Sequence, residues 1–120
     1  MEPIYGGNPT SEVAYVMVPT TCTVKGWTVA ADGSSPTCTI RVAGVTGGTA
    51  LPTSSNYIDG GAGPGTANAS PYLSTGNWLY NSSAASWSNS GALSADELLG
   101  FFLTVTNSVA KQITVQLLVQ

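Results

Sequence analysis

The chain has 120 residues, with three Lys or Arg, six Asp or Glu and no His, and its charged fraction is 8% where an ordinary soluble domain has about 25%. Hydrophobic residues are 42%, so Ser, Thr, Asn, Gly and Ala occupy the place of the missing charge, and the length suits one domain with a core of its own. Lys25, Arg41 and Lys111 cannot supply the cationic surface that displaces counterions from phosphates, which excludes nucleic acid as a partner, and the net charge of -3 disfavours anionic membrane surfaces.

Residues 1–11 read as a short, irregular N-terminal arm in which Ile4 and Tyr5 are the apolar anchors. The arm has no basic stretch leading into an apolar one, so no secretory leader is expected. No apolar run anywhere approaches the ~18 residues of a membrane span, so no membrane insertion is expected either. In residues 12–18, Val13, Tyr15 and Met17 alternate with Ala14, Val16 and Val18 until Pro19 stops the run, which predicts a buried strand. Residues 21–31 and 37–45, rich in Thr and Val, flank the turn formers Asp32-Gly33-Ser34-Ser35-Pro36 and read as a hairpin. Cys38, Ile40 and Val42 share the core face of its second strand. In the first strand Cys22 and Val24 lie on one parity and Trp27 and Val29 on the other, which predicts a bulge at Gly26. A hairpin centred near Gly33 does not set Cys22 opposite Cys38, so the two are expected to be buried free thiols.

Residues 51–90 carry a single charge, Asp59, yet Tyr57, Ile58, Tyr72, Leu73, Trp78, Leu79, Tyr80 and Trp87 recur through them, too many for a disordered linker. Short strands are expected at residues 77–80 and around Trp87. Residues 60–65, all Gly, Ala or Pro, should form an exposed loop tip, the most mobile interior segment. Ser94-Ala95-Asp96-Glu97 has the spacing of a capping box but leads straight into a strand pattern, so it reads as a turn. Residues 99–106 and 113–120 are the clearest strands, and Phe102 and Leu118 on their otherwise polar parity predict cover on both faces, from the chain itself or from a neighbour. Together these elements predict an all-β fold: an antiparallel β-sandwich, jelly-roll-like, with residues 12–120 as the single domain and a long loop region over about 46–92. An immunoglobulin-like sandwich is the less favoured alternative, because Cys22, Trp27 and Cys38 do not have its spacing.

Without histidine the commonest general base and every Ser-His-Asp or Cys-His arrangement are missing. Glu2, Glu12, Asp32, Asp59, Asp96 and Glu97 form no convincing catalytic pair and no calcium loop, so no catalytic residue, metal or cofactor is expected. Tyr57, Trp78, Tyr80 and Trp87, in a polar uncharged setting, are candidates either for a subunit interface or for a platform on which a glycan stacks.

The segments Val24-Lys25-Gly26-Trp27-Thr28-Val29-Ala30-Ala31-Asp32-Gly33-Ser34, Thr39-Ile40-Arg41-Val42, Ser94-Ala95-Asp96-Glu97-Leu98-Leu99-Gly100-Phe101 and Ile113-Thr114-Val115-Gln116-Leu117-Leu118-Val119 resemble a β-sandwich module of tailed-bacteriophage virion proteins, in which a Gly-Trp-Thr strand enters an Asp-containing turn. Residues 51–90 depart from that pattern. The resemblance implies a non-enzymatic role on the virion exterior after synthesis in the host cytoplasm. The leading expectation is a capsid decoration (cement) protein that binds the major capsid protein lattice as a homo-oligomer, by analogy a trimer, with Ile4 and Tyr5 docking. The alternative is a tail-fibre or receptor-binding module that recognises host glycan.

Overall fold

Alternation of large apolar with polar side chains gives most strands of this chain one face for a core, and the structure places them in two antiparallel sheets. The computed structural model describes residues 4–6, 12–63 and 69–120. In chain order the strands are β1 (Ile4–Gly6), β2 (Val13–Met17), β3 (Cys22–Ala31), β4 (Cys38–Val45), β5 (Tyr72–Leu73), β6 (Trp78–Asn81), β7 (Ala92–Leu93), β8 (Leu98–Thr106) and β9 (Gln112–Val119). Sheet A has the order β1-β9-β3-β6, with β7 pairing the start of β3, and sheet B has the order β2-β8-β4-β5. The pairing is nested: β1 with β9, β2 with β8, β3 with β6 and β4 with β5, all antiparallel.

The core lies between the sheets. Sheet A contributes Val24, Trp27, Val29, Ile113, Val115 and Leu117, and sheet B contributes Ile40, Val42, Leu73, Leu99, Phe101 and Leu103, all buried. Trp27 is fully buried, with its ring 5.3 Å from that of Tyr72, edge to face. The switch of core-facing parity along β3 follows from a bulge, as the sequence implies: the register with β9 shifts between Val24 and Gly26. A β-carbon at Gly26 would run into the Asn81 carbonyl, so the bulge also brings the end of β6 close to the β3 backbone.

Three expectations are corrected. β3 and β4 are not a hairpin; they belong to different sheets, and residues 32–37 cross from one to the other. The cause is a clamp between two sheet-to-sheet connections. Asp32 Oδ1 accepts from the backbone N–H of Lys111 (2.7 Å) and Gln112 (3.0 Å), Asn107 Oδ1 accepts from Thr37 N–H (3.1 Å), and Asn107 Nδ2 donates to Ser35 O (2.9 Å). These bonds satisfy the turn against the β8–β9 link rather than against a hairpin partner. Second, β2 is not buried: it is the edge strand of sheet B, with Ala14 and Val16 packed against the core and Val13, Tyr15 and Met17 facing out. Third, no strand surrounds Trp87; a 3-10 turn, Ser88–Gly91, follows it and β7 comes after.

The N-terminal arm is not wholly irregular, because Ile4 and Tyr5 pair with Thr114 and Ile113 at the edge of sheet A. Ser94–Glu97 does form a turn into β8, in which Glu97 Oε1 accepts from Ser94 N–H at 3.0 Å. Of the glycine-rich segment 60–65, residues 64 and 65 lie outside the described residues.

Candidate functional site

The two sheets present very different outer faces. On sheet B, residues 51–63 fold back over β4 and β8. A 3-10 turn at Ser54–Asn56, capped by Thr53, leads to Tyr57, which bridges to Ala43. Beyond it Asp59, with no exposure to solvent, receives Arg41 Nη2 at 2.8 Å, Arg41 Nε at 3.0 Å and the N–H of Val42 at 2.7 Å. The Arg41 guanidinium lies 3.9 Å from the Tyr57 ring centre, and Tyr57 meets Phe102 edge to face at 5.9 Å. Arg41 is thus held between a carboxylate and an aromatic face, with its Nε and Nη2 donors turned to Asp59. The chain itself supplies the cover that Phe102 calls for. Tyr57 belongs to this clip and is separate from the other aromatic candidates.

Trp87 is also separated from them. It is 3% exposed, its Nε1–H donates to Ala69 O at 2.8 Å, and it is part of the core cluster. Of the aromatic candidates, the structure brings together only Trp78 and Tyr80 on β6, which are 63% and 52% exposed. Their parity matches because they are two residues apart on one strand. Across sheet A, Trp78 pairs with Ala30 and Ala30 with Thr114, while Tyr80 pairs with Thr28 and Thr28 with Gln116. Cross-strand partners share a face. The outer face of sheet A is therefore a floor of small and polar side chains bordered by two exposed aromatic rings.

A groove of about 240 Å³ opens at the end of this face, lined by Ala30, Ala31, Asp32, Asn77, Gln112 and Thr114. Asn77 Nδ2 donates to Ala31 O and to Gly33 O, each at 2.9 Å, and Asp32 Oδ1 holds the two N–H groups described above. The backbone hydrogen bonds from Gln112 and Lys111 pull the Asp32 carboxyl below its ordinary value of 3.8, so it is ionised at neutral pH. Sequence reading assigned Asp32 to turn formation alone. Its partners are up to 80 positions away, a proximity no local pattern carries.

A second surface lies on the edge strand of sheet B. Val13, Tyr15 and Met17 are 39%, 42% and 55% exposed, and a hollow of about 360 Å³ lined by Glu12, Val13, Phe102, Leu103 and Thr104 adjoins them. The small residues Ala14 and Val16 on the core-facing parity were the available sign that the larger side chains turn outward. Both cysteines are free: Cys38 is buried and Cys22 half-buried, on opposite sheets, and burial pushes the Cys38 thiol up to about 11. Among the described residues no three His, Cys, Asp or Glu side chains gather as a metal-binding group, and no helix is long and apolar enough to cross a membrane. Comparison with protein-family models, curated proteins and solved structures finds no match for the chain.

Proposed function

We propose that this chain is a non-enzymatic module of a bacteriophage virion exterior, a capsid decoration protein that attaches through its protein surface and performs no bond chemistry. The observation that carries this reading is β2. Sheet edges left open to solvent are normally guarded by charge or proline, because unpaired N–H and C=O groups invite another chain, and Val13-Ala14-Tyr15-Val16-Met17 contains neither. Its outward row of Val13, Tyr15 and Met17 next to a hollow suits a protein partner. The nested pairing of the two sheets, which we read as the winding of a jelly roll, supports the same placement through the sequence resemblance.

In this reading the partner is the major capsid protein, the decoration protein is a homotrimer, and the outer surface of the head is its location. Ile4 and Tyr5 take part in docking from the edge of sheet A, so that the N-terminal segment furnishes one edge strand to each sheet. Many symmetric copies binding only the expanded shell would stabilise that shell by mass action. Co-sedimentation of the purified protein with expanded, undecorated capsids tests this, with bound copies counted per shell. Saturation at a symmetry-allowed number is expected, and Tyr15→Lys with Met17→Lys should abolish it; wild-type protein left in the supernatant overturns the reading. A second reading, a receptor-binding module for glycan, is favoured by a separate observation, the exposure of Trp78 and Tyr80 beside a polar groove.

A further inference from the structure

We propose that the groove between β3, β6 and β9 binds a terminal sugar of an uncharged glycan, with Trp78 as the stacking surface and Asp32 and Asn77 as the acceptors for its hydroxyl groups. The proposal rests on the receptor-binding reading and gives it a ligand class and a place.

Three features of the site point to a polyol. The first is an aromatic ring beside the groove. A sugar ring presents a C–H face that packs on an indole, and Trp78 stands 63% exposed directly across the strand pair from Ala30, which lines the groove. Ala30 has only a methyl group, so the floor beside the indole leaves room for a ring.

The second is a pair of fixed acceptors. Asp32 and Asn77 each spend one side-chain atom on the backbone: Asp32 Oδ1 on the N–H groups of Lys111 and Gln112, and Asn77 Nδ2 on the carbonyls of Ala31 and Gly33. Asp32 Oδ2 and Asn77 Oδ1 are the remaining acceptor atoms of these side chains, and each is oriented by the bonds its sister atom makes. Acceptors held in this way lose little freedom when a hydroxyl donates to them. Gln112 and Thr114, on the opposite wall, supply an amide and a hydroxyl for the ring's remaining oxygens.

The third is charge. The one charged side chain lining the groove is the Asp32 carboxylate, offset by the Lys111 charge that acts on it, so the groove holds no net positive charge to attract the carboxylate of a sialic or uronic acid. The class favoured is therefore a neutral glycan.

The test is a glycan array probed with the full chain, with hits titrated against wild type, Trp78→Ala, Asp32→Asn and, as a control at an exposed position on the other sheet, Val105→Ala. Neutral glycans should bind, Trp78→Ala should weaken them at least about tenfold, Asp32→Asn should weaken them by a smaller factor, and Val105→Ala should leave them unchanged. An array without neutral hits at millimolar glycan, a preference for sialylated ligands, or hits insensitive to Trp78→Ala overturns the assignment. Shell co-sedimentation by a wild type that gives a blank array would sink the glycan site and leave the decoration reading standing. A blank array together with no shell binding removes both.

Discussion

The outer faces of the two sheets began from similar material and ended in opposite states. Each is a surface of alternate side chains from antiparallel strands, and each carries aromatic residues: Tyr57 and Phe102 over sheet B, Trp78 and Tyr80 on sheet A. Over β4 and β8 of sheet B the chain lays residues 51–63, fastened by the buried Asp59 and by the aromatic cover on Arg41. Sheet A receives no such cover among the described residues, and its rings stand in solvent. The lesson is that an aromatic residue on the solvent parity of a strand does not by itself mark a binding surface. What decides is whether a loop carries a polar group that can be paired under it. Residues 51–63 have Asp59 and its target Arg41; residues 74–77, leading into β6, carry only neutral side chains and pin a turn through Asn77.

The contrast breaks most directly at Asp59. Asp59→Ala leaves the Arg41 guanidinium and the Val42 N–H without their acceptor in a site where water has little access, a loss of about 3 kcal/mol of folding stability. Urea unfolding with an unchanged slope and a lowered midpoint is the expected result. Because the loop would then lift from the sheet, Tyr57 and Phe102 should become exposed and the two faces should come to resemble each other, which dye binding to apolar surface would detect. A loss below about 0.5 kcal/mol, the range of ordinary surface changes, would mean the loop is held by other contacts.

Much of this arrangement was readable in the chain, and its gaps have physical causes. The alternation in Leu99, Phe101, Leu103 and in Ile113, Val115, Leu117 located β8 and β9 and their core faces, because side-chain period is a local property. The parity switch around Gly26 located the bulge for the same reason. Alternation says nothing about which sheet a strand joins, and so Asp32-Gly33 looked like a hairpin turn although its carboxylate is committed to the β8–β9 link. The same limit applies to the aromatic candidates. Trp87 and Trp78 sit in equally polar surroundings in sequence, but Trp87 has the carbonyl of Ala69 for its N–H and a place among buried residues, while Trp78 lies on an outward parity of an edge strand. Neither fact is local. The groove is the extreme case, since Asp32, Asn77 and Gln112 meet only after β3, β6 and β9 have paired in sheet A.

A smaller effect sharpens the sheet A side. Asp32 has its carboxyl lowered by the N–H groups of Gln112 and Lys111, so the folded state favours the ionised form. The stability it contributes is fully present above the unfolded value of 3.8 and is lost as the pH falls through the lower folded value. Asp32→Ala should remove that part of the acid dependence and should loosen the turn at neutral pH, whereas a wild type and variant with parallel stability profiles between pH 6 and the acid limit would show the carboxylate to be idle. Hydrogen exchange at the Lys111 and Gln112 amides gives the local readout, with faster exchange expected in the variant.

The smallest expected effect on stability is the most telling about function. Trp78→Ala removes the largest side chain on sheet A's outer face, yet 63% of that residue is already in water and its strand keeps its pairing with β3, so folding stability should change by no more than about 0.5 kcal/mol. A buried tryptophan such as Trp87 would cost about 3–5 kcal/mol for the same truncation. A near-neutral change would show that folding does not require the indole, which leaves its exposed face free for the stacking role proposed for it. If Trp78→Ala instead destabilises the chain by 2 kcal/mol or more on the scale of core truncations, the ring is packed against the protein and cannot serve as an open stacking surface. Thermal unfolding of the single variant, measured before any ligand is sought, therefore decides whether sheet A's bare face is a surface held ready for a partner or a piece of the core seen edge-on.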